Sequence, residues 1–155
     1  MKIKLIRAHL KDAEELWKMQ VESFSELLDR YQDFDMSPAN EPIEKVQQRL
    51  SQSFTYFYFI CMDEQKIGAV RVVDKKEESK CKRISPISIL PQYRGKGYAQ
   101  RAIQLCEEIH GAQDWELGTI LQEKGNCHLY EKMGYRKTGK TKKINEKMTL
   151  VFYEK

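Results

Sequence analysis

Ile87-Ser88-Ile89-Leu90-Pro91-Gln92-Tyr93-Arg94-Gly95-Lys96-Gly97-Tyr98-Ala99 runs from an apolar strand, through a loop with two glycines, into a helix. A helix that starts there presents unpaired N–H groups in one direction, and its dipole adds partial positive charge at the same point. Glycine at positions 95 and 97 lets backbone approach an anion with no Cβ in the way. The segment therefore reads as a cradle for a pyrophosphate, with Arg94 and Lys96 adding charge. Two other phosphate motifs fit worse. G-x-x-x-x-G-K-[ST] is absent, and a dinucleotide fingerprint needs a third glycine where Gln100 stands.

Outward from this segment, Arg83–Leu90 reads as a strand, and Pro86 within it predicts an edge position or a bulge. Tyr98–His110 reads as a helix with Ala99, Ala102, Ile103, Cys106 and Ile109 on one face, stopped by Gly111. Toward the N-terminus, Lys2–Arg7 alternates as a strand. Asp12 and Glu15 then form a helix start, followed at helical spacing by Ala13, Leu16, Trp17, Gln20, Phe24, Leu27, Leu28 and Tyr31. Ile43, Val46 and Leu50 mark a second, short helix. Phe54–Met62 and Ile67–Val73 are strands joined by a turn, and Asp74–Lys80 is a charged loop. Toward the C-terminus come a strand over Glu116–Leu121, a short helix over Asn126–Met133 ended by Gly134, and a hairpin of Tyr135–Lys140 with Lys147–Tyr153.

A chain of 155 residues suits one compact domain over 1–155. With 41% apolar and 32% charged residues the composition is globular. There are 27 basic and 23 acidic side chains, and the net charge of +4 is too mild to imply nucleic acid as the main partner. The signs are segregated. Glu22, Glu26, Asp29, Asp33, Asp35, Glu41 and Glu44 dominate the early part, while Lys75, Lys76, Lys80, Lys82, Arg83, Arg94, Lys96 and Arg101 outnumber Glu77 and Glu78 in the middle. Cys61, Cys81, Cys106 and Cys127 form no C-x-x-C pair, so no metal site is expected. The longest apolar run, Phe54–Met62, is too short to span a membrane, and a cytoplasmic location is expected.

The central segment resembles the GNAT superfamily of N-acetyltransferases, whose signature Q/R-x-x-G-x-G/A follows a strand ending apolar-x-apolar-x-Pro. Gln92-Tyr93-Arg94-Gly95-Lys96-Gly97 matches it in full, and Leu129-Tyr130-Glu131-Lys132-Met133-Gly134-Tyr135 is similar to the family's late helix and the strand after it. The resemblance implies an α/β fold: a mixed, twisted sheet with helices on both faces, its central strands splayed near Pro86–Ile89 into a V-shaped cleft. It implies acetyl-CoA as acetyl donor and an amine, on a small molecule or a protein, as acceptor. Backbone groups of Ile87 and Ile89 would pair with the pantetheine arm. Amides of Arg94, Gly95, Lys96, Gly97, Tyr98 and Ala99, following the signature Gln92, would hold the pyrophosphate, and Tyr130 would be the general acid.

Amine attack on a thioester needs a neutral amine and a proton for the departing thiolate. A lysine-like amine has a pKa of about 10.4, so it is almost wholly protonated at neutral pH. A tyrosine near the sulfur supplies the second proton. Asn126 lies four residues before Tyr130, on the same helical face, within reach of the pantetheine arm. The chain departs from the family at Glu123, where asparagine is common. Glu22, Glu116 and Glu123 are the candidate bases, with a chain of water molecules as the alternative. Cys127 and His128 are adjacent on a helix and point apart, and His9 and His110 read as residues at element ends. The acidic region Glu22–Glu41, with Phe24, Tyr31 and Phe34, predicts an acceptor carrying more than one positive charge. The rival from another class is a non-catalytic acetyl-CoA-binding sensor or interaction module of the same fold.

Overall fold

The computed structural model describes residues 2–77 and 80–155. Strands β1 (Ile3–Arg7), β2 (Thr55–Met62), β3 (Gln65–Val73), β4 (Lys82–Ile89), β5 (Trp115–Ile120), β6 (Arg136–Asn145) and β7 (Met148–Glu154) form one sheet in the order β1-β2-β3-β4-β5-β7-β6. Helices α1 (Ala13–Tyr31), α2 (Ile43–Leu50), α3 (Tyr98–His110) and α4 (Lys124–Lys132) complete the fold. All neighbouring strands are antiparallel except β4 and β5, which α3 connects. The loop expected over Asp74–Lys80 includes Glu78 and Ser79, which lie outside the described residues.

Strand periodicity assigns the two faces. In β2, Phe57, Phe59 and Cys61 pack with Ala13, Leu16 and Met19 of α1 and Val46 of α2. Tyr58 and Ile60 point the other way and join Ala102, Ile103 and Cys106 of α3 with Cys127 and Tyr130 of α4. The mixed sheet with helices on both faces is therefore present.

Several local expectations are corrected. Asp12 does not cap α1; its carboxylate accepts from the His9 backbone N–H at 2.8 Å, while Glu15 pairs with Lys66 at 2.7 Å. On α1, Met19 and Ser23 are buried, whereas Phe24, Leu27 and Leu28 are only half-buried because they line cavities rather than the core. On α3, Ile109 is exposed and the side chain of His110 is buried instead. Its Nδ1 lies 2.7 Å from Asp74 Oδ2 and its Nε2 lies 2.8 Å from the Tyr58 hydroxyl, and this polar chain turns the end of α3 inward. The last hairpin is longer than its lysine-rich sequence suggests, because β6 is an exposed edge strand that buries no apolar face.

The feature that positions the site is the middle of β4. Its pairing with β3 shifts register between Val70 and Val72, which lie opposite Ile87 and Ile84, so Ser85 and Pro86 form the bulge foreseen from the proline; β4 is a central strand, so the edge alternative falls. Arg71, buried in β3, donates from Nε to the Ser85 carbonyl and holds the bulge from below. Burial, reinforced by Arg49 and Arg83, lowers the pKa of this guanidinium to about 10. A lone arginine inside Ile67–Val73 was the available sequence signal for it.

Candidate active site

β4 and β5 pair only at Lys82–Trp115 and Arg83–Glu116. Beyond that point they part, and β5 continues along β7 through Ile120. Leu90 donates its N–H to Ile67 O at 2.8 Å. Since antiparallel ladders alternate, the backbone N–H and C=O groups of Ile87 and Ile89 point away from β3, into the gap. A cavity of about 520 Å³ runs along Ile87–Ile89 of β4, between α1 and α4, to the start of α3, and a second cavity occupies the gap between β4 and β5.

Its far end is built by the glycine loop. Gly95 (φ 77°) and Gly97 (φ 84°) are both in the left-handed region, where a side chain is strained, and nothing lies within 4 Å of where either Cβ would be. Gly97 precedes α3, so the first-turn amides of Tyr98 and Ala99 open toward the same space.

The structure brings Ile87, Ile89, Arg94, Gly95, Gly97, Tyr98, Ala99, Asn126 and Tyr130 to the lining of this cavity; Gln92 and Lys96 stand outside it. Arg94 lines it with its charge turned elsewhere. Its Nε donates to Ile89 O (2.8 Å), its Nη2 to Ser23 O on α1 (2.6 Å), and its amide to Pro91 O (3.3 Å). The arginine thus latches the loop to α1. Ser23 Oγ is a buried side-chain atom that has no partner among the described residues, and Ser23 also lines the cavity. Open space beside two left-handed glycines, free β4 backbone groups and an orphan hydroxyl together fit a long, pyrophosphate-bearing ligand.

Tyr130 lies at the junction of this cavity with a second one of about 230 Å³. Its ring sits between Tyr135 and Tyr153, with centroids 6.0 and 6.1 Å away. Burial first, then Cys127, pushes the pKa of its hydroxyl up to about 12. The group therefore keeps its proton throughout the neutral range.

Of the three candidate bases only Glu123 lines the cavity. Its Oε2 already accepts from Arg30 at 2.7 Å and from the Tyr31 hydroxyl, so it clasps the end of α1 to the start of α4. Glu22 and Glu116 are exposed and line neither cavity. The acidic wall is also narrower than expected. Among the acidic residues of Glu22–Glu41, Asp33 alone lines the second cavity and Glu26 the first; Glu22 and Asp35 line neither. Phe24 lines both cavities, Tyr31 is buried against Glu123, and Phe34 is 59% exposed. No described helix is long and apolar enough to cross a membrane.

Comparison with known proteins agrees with this geometry. The model of the acetyltransferase (GNAT) family matches residues 13–135. No curated protein matches the chain in sequence. Among solved structures, a spermidine N-acetyltransferase from Vibrio cholerae, in complex with CoA and spermine, superposes with a TM-score of 0.76 at 15% identity, covering 97% of this chain and 93% of that one. The PaiA N-acetyltransferase from Thermoplasma acidophilum, in complex with coenzyme A, gives 0.73 at 16% identity, covering all of both chains. An acetyltransferase from Salmonella typhimurium that modifies the N-terminal serine of ribosomal protein L7/L12 gives 0.74 at 13% identity, covering 99% and 94%.

Proposed function

The chain belongs to the acetyltransferase (GNAT) family, and from that premise we propose that residues 1–155 act as one domain that moves the acetyl group of acetyl-CoA directly to an amine. The observation that carries this reading is the parting of β4 from β5 after Arg83, which leaves the backbone groups of Ile87 and the N–H of Ile89 without a strand partner beside the glycine loop, the Ile89 carbonyl being taken by Arg94 Nε. A pantetheine arm carries amides that pair with such groups as an added strand would. The amides at Gly95–Ala99 hold the pyrophosphate, and Asn126 reaches the arm near its thiol end. Structural relatives that bind CoA, and that act on spermidine or on an N-terminal serine, support both donor and acceptor class.

Bound acetyl-CoA supplies an activated acetyl group. The chain contributes position and one proton. An amine entering from the second cavity meets the acetyl carbonyl at the junction where Tyr130 stands. As the new C–N bond forms and the C–S bond breaks, Tyr130 gives its proton to the departing sulfur. With its pKa raised to about 12 the hydroxyl is protonated at neutral pH and hydrogen-bonds the sulfur as charge develops. Because a thiol is the stronger acid, at about 8.5, a proton from water restores Tyr130 once the thiol has formed. Arg30 and Tyr31 occupy Glu123, so the amine sheds its own proton to water in the open cleft rather than to a side chain.

A broad amine screen, read by release of free CoA thiol, tests this reading. Acetyl-CoA is expected to be consumed in proportion to acetylated amine. Tight acetyl-CoA binding with no amine turned over would make the chain a binding module instead.

A further inference from the structure

The second cavity is walled by Phe24, Leu27 and Leu28 of α1, by residues of β4 and β5, and by Met148 and Leu150 of β7. Among the described residues no lysine, arginine or histidine lines it, so none of them offsets an anionic acceptor there. One carboxylate does line it. Asp33, just past α1, is 7% exposed. Its Oδ1 accepts from the Met36 N–H at 3.1 Å, and among the described residues it has no ion-pair partner. A carboxylate buried beside apolar walls is costly unless a cation or further donors meet it. Asp33 belongs to the part of this cavity that is not shared with the cofactor cavity, whereas Tyr130, Asn126 and Ile87 line both.

We propose that the second cavity takes an aliphatic diamine: one ammonium held by Asp33, an apolar spacer along Phe24, Leu27 and Leu28, and the other amine delivered neutral to Tyr130. The proposal rests on the acetyltransferase reading and narrows its substrate. The physical reasons are separable. An ammonium fixed on a carboxylate cannot act as nucleophile, so the reacting nitrogen is a second one. Asp33 is the one carboxylate lining the cavity among the described residues, so a compound with further charges along its length finds no second counter-charge there, and a simple diamine fits better.

The experiment compares α,ω-diaminoalkanes with n-alkylamines of equal carbon count, and with spermine, using the wild type and Asp33→Asn. Asparagine keeps the oxygen that accepts from Met36 N–H, so the loop retains its hydrogen bond. In the wild type, the best diamine is expected to exceed its matched monoamine in kcat/KM by about 10-fold to 10²-fold, the range of a hydrogen-bonded charge pair. In Asp33→Asn that ratio falls to about one, through KM rather than kcat. Direct binding of the diamine to wild-type protein, weakened by salt, is the second readout. Equal kcat/KM for diamine and monoamine, a preference retained in Asp33→Asn, or a clear preference for spermine overturns the proposal while leaving the acetyltransferase reading intact. Absence of turnover with every amine overturns both.

Discussion

Tyr130→Phe lowers the turnover of acetyl transfer by about 10²-fold, the usual loss when a positioned acid is removed, and leaves acetyl-CoA affinity little changed. The ring that packs between Tyr135 and Tyr153 is retained, so the substitution isolates the hydroxyl. The pH profile separates a proton donor from a packing residue. With the Tyr130 pKa raised to about 12, the hydroxyl stays protonated while an amine of pKa about 10.4 loses its proton. Wild-type kcat/KM therefore climbs with pH toward about 10 and shows no alkaline fall from Tyr130 below that. The variant shows the same climb at a lower level. Unchanged turnover with a good acceptor, in a regime where single-turnover rates report chemistry, would assign Tyr130 to the core.

Gly97→Glu abolishes binding of acetyl-CoA. Gly97 sits at φ 84°, directly before the first turn of α3, with nothing near its Cβ position. Glutamate there places a negative charge in the pyrophosphate cradle. Wild-type protein gains about 2.7 kcal/mol of stability when acetyl-CoA exceeds its Kd about 100-fold, because the ligand binds only the folded state. The variant is expected to show no ligand-dependent rise in Tm. Gly97→Ala controls for backbone strain, since any side chain at this φ is disfavoured by about 1–2 kcal/mol. A Gly97→Glu protein stabilised by acetyl-CoA as strongly as wild type would mean that the pyrophosphate lies elsewhere.

The parts legible in the sequence were those that local chemistry dictates. Apolar alternation in Arg83–Leu90, the two glycines and the apolar face of Tyr98–His110 announced strand, loop and helix, and Pro86 announced the bulge. What stayed hidden depends on contacts distant in sequence. Arg71 supports the bulge from a neighbouring strand, and only the pairing of β3 with β4 reveals why an arginine is buried there. His110 read only as a residue at a helix end; Asp74 and Tyr58, far away in the chain, hold its side chain inside. Glu123 was legible as a site residue but not as the partner of Arg30 and Tyr31. The acidic stretch Glu22–Glu41 was visible as composition, yet which carboxylate faces the cavity depends on how the chain turns after α1, and that turn selects Asp33.

The central claim is that acetyl-CoA lies in the cavity along Ile87–Ile89 of β4 and pairs with the free edge of that strand. Amide hydrogen exchange at Ile87 and Ile89, followed by NMR with and without acetyl-CoA, tests it most directly. Both N–H groups point into the gap and should exchange readily in the free protein. Saturating acetyl-CoA is predicted to slow exchange at Ile87 or Ile89 by about 10-fold or more beyond any global change in stability, with ATP and NAD giving no such protection. Saturated binding that leaves both amides exchanging as in the free protein, with protection confined to another surface, would contradict the account.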